Sequence, residues 1–201
     1  RGRRRHAGAR GNRHFWGSRV NKVLIHICCG PCAIYPVETL RDEGNTVMGY
    51  FYRNNIHPYS ECHRREEALR SYANDIDLKV IYPDNYDLEL FLRMIAFRES
   101  DRSTLCYHER LRLTALLAKR GKFDGFTSTL LYSKFQNHDL IRSIAESVGK
   151  THGIPFVYRD FRKGWSVGIN TSKALGMYRQ QYCGCIYSEK ERYYKPMDAK
   201  R

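Results

Sequence analysis

Seven cysteines, at positions 28, 29, 32, 62, 106, 183 and 185, are the residues of this chain whose types and spacing can do chemistry. Three crowd into Cys28-Cys29-Gly30-Pro31-Cys32, and two flank a glycine in Cys183-Gly184-Cys185. An odd count in tight groups argues against an extracellular disulfide framework. Neighbouring cysteines rarely form structural bridges, because a disulfide needs Cα atoms several ångströms apart in a specific geometry. Metal ligation and dithiol redox chemistry remain. Zinc sites favour C-x₂₋₄-C pairs in duplicate, and no second C-x-x-C follows Cys29 and Cys32. An iron–sulfur cluster is the natural competitor, since distant segments can surround it and Cys106 can join from a later part of the chain. The Cys183-Gly184-Cys185 pair could close a strained, readily reduced ring, or could bind metal. Gly184 suits a turn whose φ other residues resist.

The elements that must place these sulfurs are legible around them. Lys22 to Ile27 is an apolar run the length of a buried strand. It ends at the cysteines, where Pro31 fits the first turn of a helix reaching toward Gly44. A second strand spans Thr46 to Tyr52, and helices are predicted over Glu61–Ala73, Tyr86–Phe97, Leu105–Lys119 and Asp139–Thr151. Further strands are predicted at Leu78–Tyr82, Phe123–Leu130 and Ile154–Tyr158, and a mostly helical segment over Ser172–Arg192. This alternation predicts a three-layer α/β fold: a mostly parallel, Rossmann-like sheet of at least five strands, helices on both faces, and a helical C-terminal segment. Ligands of such sheets sit beyond the strands' carboxyl ends. Cys28, Cys29 and Cys32 belong to that rim, together with the 53–59 loop, Thr127 to Thr129, and the Arg159-Asp160-Phe161-Arg162 segment. Neither G-x-G-x-x-G nor a P-loop occurs. The first turn offers sulfur where nucleotide-binding folds offer glycine, and a helix N-terminus favours the thiolate form.

With 201 residues, 42% of them apolar and 28% charged, the chain has the composition of a globular protein with a substantial core. The formal charge is +14. Residues 1–19 carry seven arginines and no acid, and are expected to form a disordered basic tail or a segment foreign to the fold. The remaining +7 lies on the predicted domain, residues 20–194, followed by a flexible end over 195–201. Such an excess favours polyanionic partners without specifying a sequence. No apolar run approaches a membrane span and no export signal is evident, so a cytoplasmic location without a membrane partner is expected.

Several segments together carry a resemblance. LIHICCGPCA (24–33), GYFYRNNIHPYSECHRR (49–65), CYHERLRLTA (106–115), FTSTLLYSKFQN (126–137), FRKGW (161–165) and YRQQYCGCIYSEKER (178–192) are similar to the epoxyqueuosine reductase family of the QueH type. The resemblance implies reductive removal of the epoxide oxygen of epoxyqueuosine at the wobble position of transfer RNA with a GUN anticodon, giving queuosine. It implies a [4Fe-4S] cluster, in some members a further iron, and an external electron donor such as a reductase. No stable protein partner is expected. By that likeness Cys28, Cys29 and Cys106 are cluster ligands, and Cys183 and Cys185 are a redox pair. Where the family's R-C-x-x-C-[FY] element has its first cysteine this chain has Ser103, a poor ligand for soft iron. Three thiolates could then leave one iron to water, Asp101, another cysteine or the substrate, or Cys32 or Cys62 could replace the missing ligand; Cys32 is the metal-ligand candidate. Of the groups able to deliver a proton, Asp160, Asp139, His57 and Tyr59, the candidate adopted is Asp160. Arg64, Arg65, Arg159, Arg162 and Lys163 are candidate phosphate contacts, and Tyr178, Tyr182 and Tyr187 candidate base-stacking groups. Two competing readings are an iron–sulfur-dependent sulfur-transfer enzyme acting on transfer RNA and a zinc-dependent RNA-binding module.

Overall fold

The computed structural model describes residues 21–196, so the predicted basic tail and most of the predicted flexible C-terminus lie outside the described residues. Strand β1 (Lys22–Ile27) is buried on both faces from Val23 onward, as its unbroken apolar run requires. Helix α1 (Gly30–Asp42) starts directly after Cys29, with Pro31 in its first turn, and the chain leaves it through Gly44 at φ 83°. Strand β2 (Thr46–Phe51) returns parallel to β1, pairing Lys22 with Thr46 through to Ile27 with Phe51. Helix α2 (Tyr59–Asp75), strand β3 (Val80–Ile81), helix α3 (Leu88–Ile95) and helix α4 (Arg102–Arg120) follow. Strand β4 (Gly125–Ser128) then pairs with the opposite edge of β1. Helix α5 (His138–His152) is capped by the Asn137 side chain, which accepts from Leu140 N–H at 3.1 Å.

The sheet is parallel throughout, in the order β3-β2-β1-β4, with helices on both faces. Helix α1 packs with α2 and with helix α6 (Trp165–Ala174) on one side, and α4 packs with α5 on the other. β1 is flanked by its sequence neighbour β2 on one side and by β4, reached late in the chain, on the other. The crevice between the ends of β1 and β4 is therefore the switch point where α/β sheets bind ligands.

Two expectations are corrected. The predicted fifth strand, Ile154–Tyr158, touches the sheet only at Phe126, which pairs with Phe156. Pro155 has no N–H to extend a ladder, and bonds are made only by Phe126 N–H to Pro155 O (3.0 Å) and Val157 N–H to Phe126 O (2.8 Å). The predicted helical stretch 172–192 resolves into the end of α6, an irregular strap over 175–185, and helix α7 (Ile186–Tyr193). The strap is not helical because Arg65 takes its carbonyls, as described next.

Candidate active site and metal centre

Cys28 follows the last residue of β1, and Cys29 caps α1, so both thiols meet the positive end of that helix. The next strand over supplies Thr129, whose Oγ1 accepts from Cys28 N–H at 3.4 Å and lies 3.6 Å from its sulfur. The sulfurs of Cys28, Cys29 and Cys32 all lie within 4.8 Å of one another, Cys28 and Cys29 at 3.8 Å. Hydrogen bonds from the other two thiols, then the charges of Arg110 and His26, hold Cys28 well below the ordinary thiol range against the effect of burial. Cys29 is pushed up by burial and by its bond to Cys28; Cys32 is pushed up by its bonds to Cys28 and Cys29 and by burial. Cys28 is thus the thiol of the trio most disposed to ionise, and all three would give up their protons on binding metal. Ligands about 2.3 Å from a tetrahedral ion stand roughly 3.8 Å apart. The Cys28–Cys29 separation matches that span, and the three thiols together would suit a metal ion.

Cys106 lies outside this trio, on α4, one turn before Arg110. Asn55 Nδ2 donates to its sulfur at 2.8 Å. Two further carboxamides do the same at other thiols: Gln180 donates to Cys32 and Gln136 to Cys183, each at 3.5 Å. Donors aimed at sulfur stabilise thiolates and shift the potential of any metal they bind. Nothing in residue spacing marks these amides; only the fold brings them to the cysteines.

The strap carries Cys183 to the opposite wall. Arg65 on α2, 1% exposed, donates to Glu61 (2.7 Å) and to the carbonyls of Tyr182 and Cys183 (2.9 Å each). His57 N–H donates to Gly184 O at 2.8 Å, Tyr182 Oη donates to His57 O at 2.5 Å, and Ile186 N–H donates to His57 Nδ1 at 3.3 Å. Gly184 sits at φ 158° with Asn55 O 3.2 Å from where a Cβ would be, so both conformation and space call for glycine. Cys183 keeps solvent access at the lip, although burial on its inner side pushes its thiol up. Cys185 follows at the start of α7, where its sulfur contacts Ser188 Oγ at 3.7 Å.

Between these walls lies a pocket of about 340 Å³. Cys28, Cys32 and Cys183 line it, as do Arg110, Arg179, Arg192 and an aromatic wall of Tyr132, Trp165 and Phe135. Phe135 is 84% exposed and meets Trp165 edge to face at 5.6 Å. The three arginines were not singled out from sequence.

Other expected residues stand elsewhere. Asp160 caps the turn before α6 and accepts from Arg162 through both oxygens at 2.8 and 2.7 Å, which holds its carboxyl at about 2. An anion so paired has no proton to give, and Asp160 does not line the pocket. Cys62 is buried, with its thiol pushed up to about 12 by burial and its sulfur toward Arg53 O at 3.9 Å. Ser103 is exposed on the first turn of α4. Arg65 and Arg162 are engaged as described, and Arg159 pairs with Glu43 at 2.7 Å, whereas Lys163 is exposed.

A parallel α/β sheet with a trio of thiols at its switch point, and a further thiol held across a pocket from them, defines a metal-binding oxidoreductase. Comparison with known proteins is specific. The family model described as "Epoxyqueuosine reductase QueH" matches residues 23–191. Epoxyqueuosine reductase QueH of Dehalococcoides mccartyi is 35% identical over 175 residues, covering 87% of this chain and 96% of that protein. Its counterpart from Thermotoga maritima is 34% identical, covering 90% and 97%, and that from Streptococcus pyogenes 30%, covering 84% and 70%. The chain belongs to the QueH family.

Proposed function

We propose that this protein is an epoxyqueuosine reductase that removes the epoxide oxygen of epoxyqueuosine in transfer RNA to give queuosine, and that it works in the cytoplasm. The observation that supports the reading is one pocket lined by Cys28 and Cys32 of the thiol trio on one wall and by Cys183 on the other, in a chain matched by the family model over residues 23–191. No helix among the described residues is long and apolar enough to cross a membrane.

The reaction needs two electrons and two protons for each epoxide opened and oxygen lost. Cys183 and Cys185 would supply both as a dithiol that ends as a disulfide, which an external donor then reduces. The strap held by Arg65 and His57 keeps Cys183 at the lip, where a nucleoside drawn out of the anticodon would meet it. Cys28 and Cys29, with Cys32 and Cys106, would hold the metal centre, which as an iron–sulfur cluster would supply single electrons and a Lewis-acidic iron. The trio's spacing matches one ion, so a four-iron cluster requires the sulfurs to spread and Cys106 to join them. The exposed Phe135 ring, with Trp165 edge-on to it, would offer an aromatic face for an unstacked base, and Arg179 and Arg192 would offer charges for its phosphates.

The test is direct. Protein purified anaerobically and supplied with iron, sulfide and a reductant is incubated with epoxyqueuosine transfer RNA, and the nucleosides are then separated. Queuosine should replace epoxyqueuosine with wild type and not with Cys28→Ala. Turnover that instead requires ATP and yields a thiolated nucleoside would overturn the reading.

A further inference from the structure

Arg110 is the charged side chain of the pocket to which the reaction above gives no task. It sits on α4, 1% exposed, and its Nε has no hydrogen-bond partner among the described residues. None of the ion pairs found among those residues includes it. The contrast with Arg65, equally buried but tied to Glu61 and two carbonyls, is sharp. A guanidinium taken out of water without a carboxylate calls for an anion from elsewhere. Arg110 borders the pocket beside Cys28 and Cys183, so whatever fills the pocket meets it. Burial opposes its charge, but the Cys106, Cys183 and Cys28 sulfurs outweigh burial and raise its pKa further. It therefore keeps its protons throughout and cannot serve as an acid.

We propose that Arg110 is the oxyanion-binding catalytic residue of the site, receiving the oxygen that leaves the epoxide carbons. This rests on the reductase reading. In the step it assists, both carbon–oxygen bonds of the epoxide break and a carbon–carbon double bond forms. The Cys183 and Cys185 thiols are oxidised to a disulfide, and their two protons leave with the oxygen as water. Arg110 gains and loses nothing; its forked donors hold the negative oxygen between the first bond cleavage and protonation.

The full-length, iron-loaded protein carrying Arg110→Met or Arg110→Lys tests this. Arg110→Met should lower kcat about 10²- to 10³-fold, the usual effect of removing an oxyanion donor. KM, transfer RNA affinity by filter binding, and iron and sulfide content should each stay within about twofold, because the interaction is made only in the transition state. Arg110→Lys should retain part of the lost rate, having the charge without the fork. In Arg110→Ala, millimolar methylguanidinium should restore turnover saturably where tetramethylammonium does not; a merely structural role would not give that selectivity. Iron loss in proportion to activity would make Arg110 a counter-charge of the metal centre, and a rise in KM with kcat unchanged would make it a phosphate contact; either overturns the proposal. If Arg110→Met does not fold, Arg110→Lys at full kcat overturns it equally. Wild type that leaves epoxyqueuosine untouched would refute the reductase reading, whereas active wild type with equally active Arg110→Met would refute this inference alone.

Discussion

Cys28 draws its reactivity from four local facts: the end of a strand, the start of a helix, two thiol donors and a buried arginine. Replacing it, or Cys29, with alanine should abolish bound iron and turnover together, whereas Cys62→Ala, whose sulfur faces Arg53 O, should leave both intact; iron analysis and the nucleoside assay check this. Ser103 and Cys106 give a finer contrast. Ser103 is exposed one turn before Cys106, so Ser103→Ala should keep the iron content and Cys106→Ala should lower it. Asp160 should behave as a structural residue. Its folded carboxyl is lowered from 3.8 to about 2, so its pairing stabilises the fold above about pH 4 and is lost as the pH falls toward 2. Both partners are partly exposed and screened by solvent, so the ion pair itself adds little. Asp160→Ala should cost about 1 kcal/mol through the lost cap, read by thermal unfolding, with kcat unchanged.

The elements matter chiefly through the strap between α6 and α7. Its carbonyls are held by Arg65 and by His57 N–H, and His57 Nδ1 accepts from Ile186 N–H just beyond it, so it is a clasped loop and not a helix. His57 must be neutral to accept from Ile186 N–H while Nε2–H donates to Asn54 O at 3.0 Å. Burial lowers its pKa below 6.5, so an undocked strap binds the proton first. The clasp is complete above that pH and loosens as pH falls beneath it. Amides 182–187 should exchange with solvent faster, beyond the intrinsic chemical change, on going from about pH 7.5 to about pH 5.5, and His57→Asn should remove that pH dependence. Unchanged protection in wild type would contradict the clasp. Packing between α1 and the turn before α6 is equally tight: a Cβ on Gly164 would stand 2.0 Å from the Tyr35 ring. Gly164→Ala should therefore cost at least about 1–3 kcal/mol in denaturant unfolding. Much of this architecture was legible in residue patterns. The βαβ unit carrying Cys28, and most helices, follow from apolar period, Pro31 and Gly44. The fifth strand was not legible, because its apolar pattern is that of a strand while Pro155 denies it a ladder. The strap was not legible either, since its conformation is set by Arg65, more than a hundred residues away. The same holds at the site: adjacent cysteines announce themselves, but the amides of Asn55, Gln136 and Gln180, and the Arg110 side chain, reach the cysteines and the pocket only when the chain folds.

For the whole molecule, the +7 balance outside residues 1–19 leaves the folded part basic on its own account. Removing residues 1–19 should preserve transfer RNA binding, and affinity should fall steeply as salt rises, because phosphate contacts release counterions. Abolished binding on truncation would assign recognition to the tail instead. The central claim is that the Cys183 and Cys185 dithiol, across the pocket from the Cys28 wall, delivers two electrons to an epoxide. Electron stoichiometry tests it most directly. Anaerobic protein is reduced, freed of excess reductant and mixed with an excess of epoxyqueuosine transfer RNA; queuosine formed and thiols lost are then counted in the same sample. The account predicts one queuosine for each two thiols lost, with Cys183→Ala and Cys185→Ala retaining iron yet losing no thiol pair. Queuosine formed with Cys183 and Cys185 still fully reduced would contradict it.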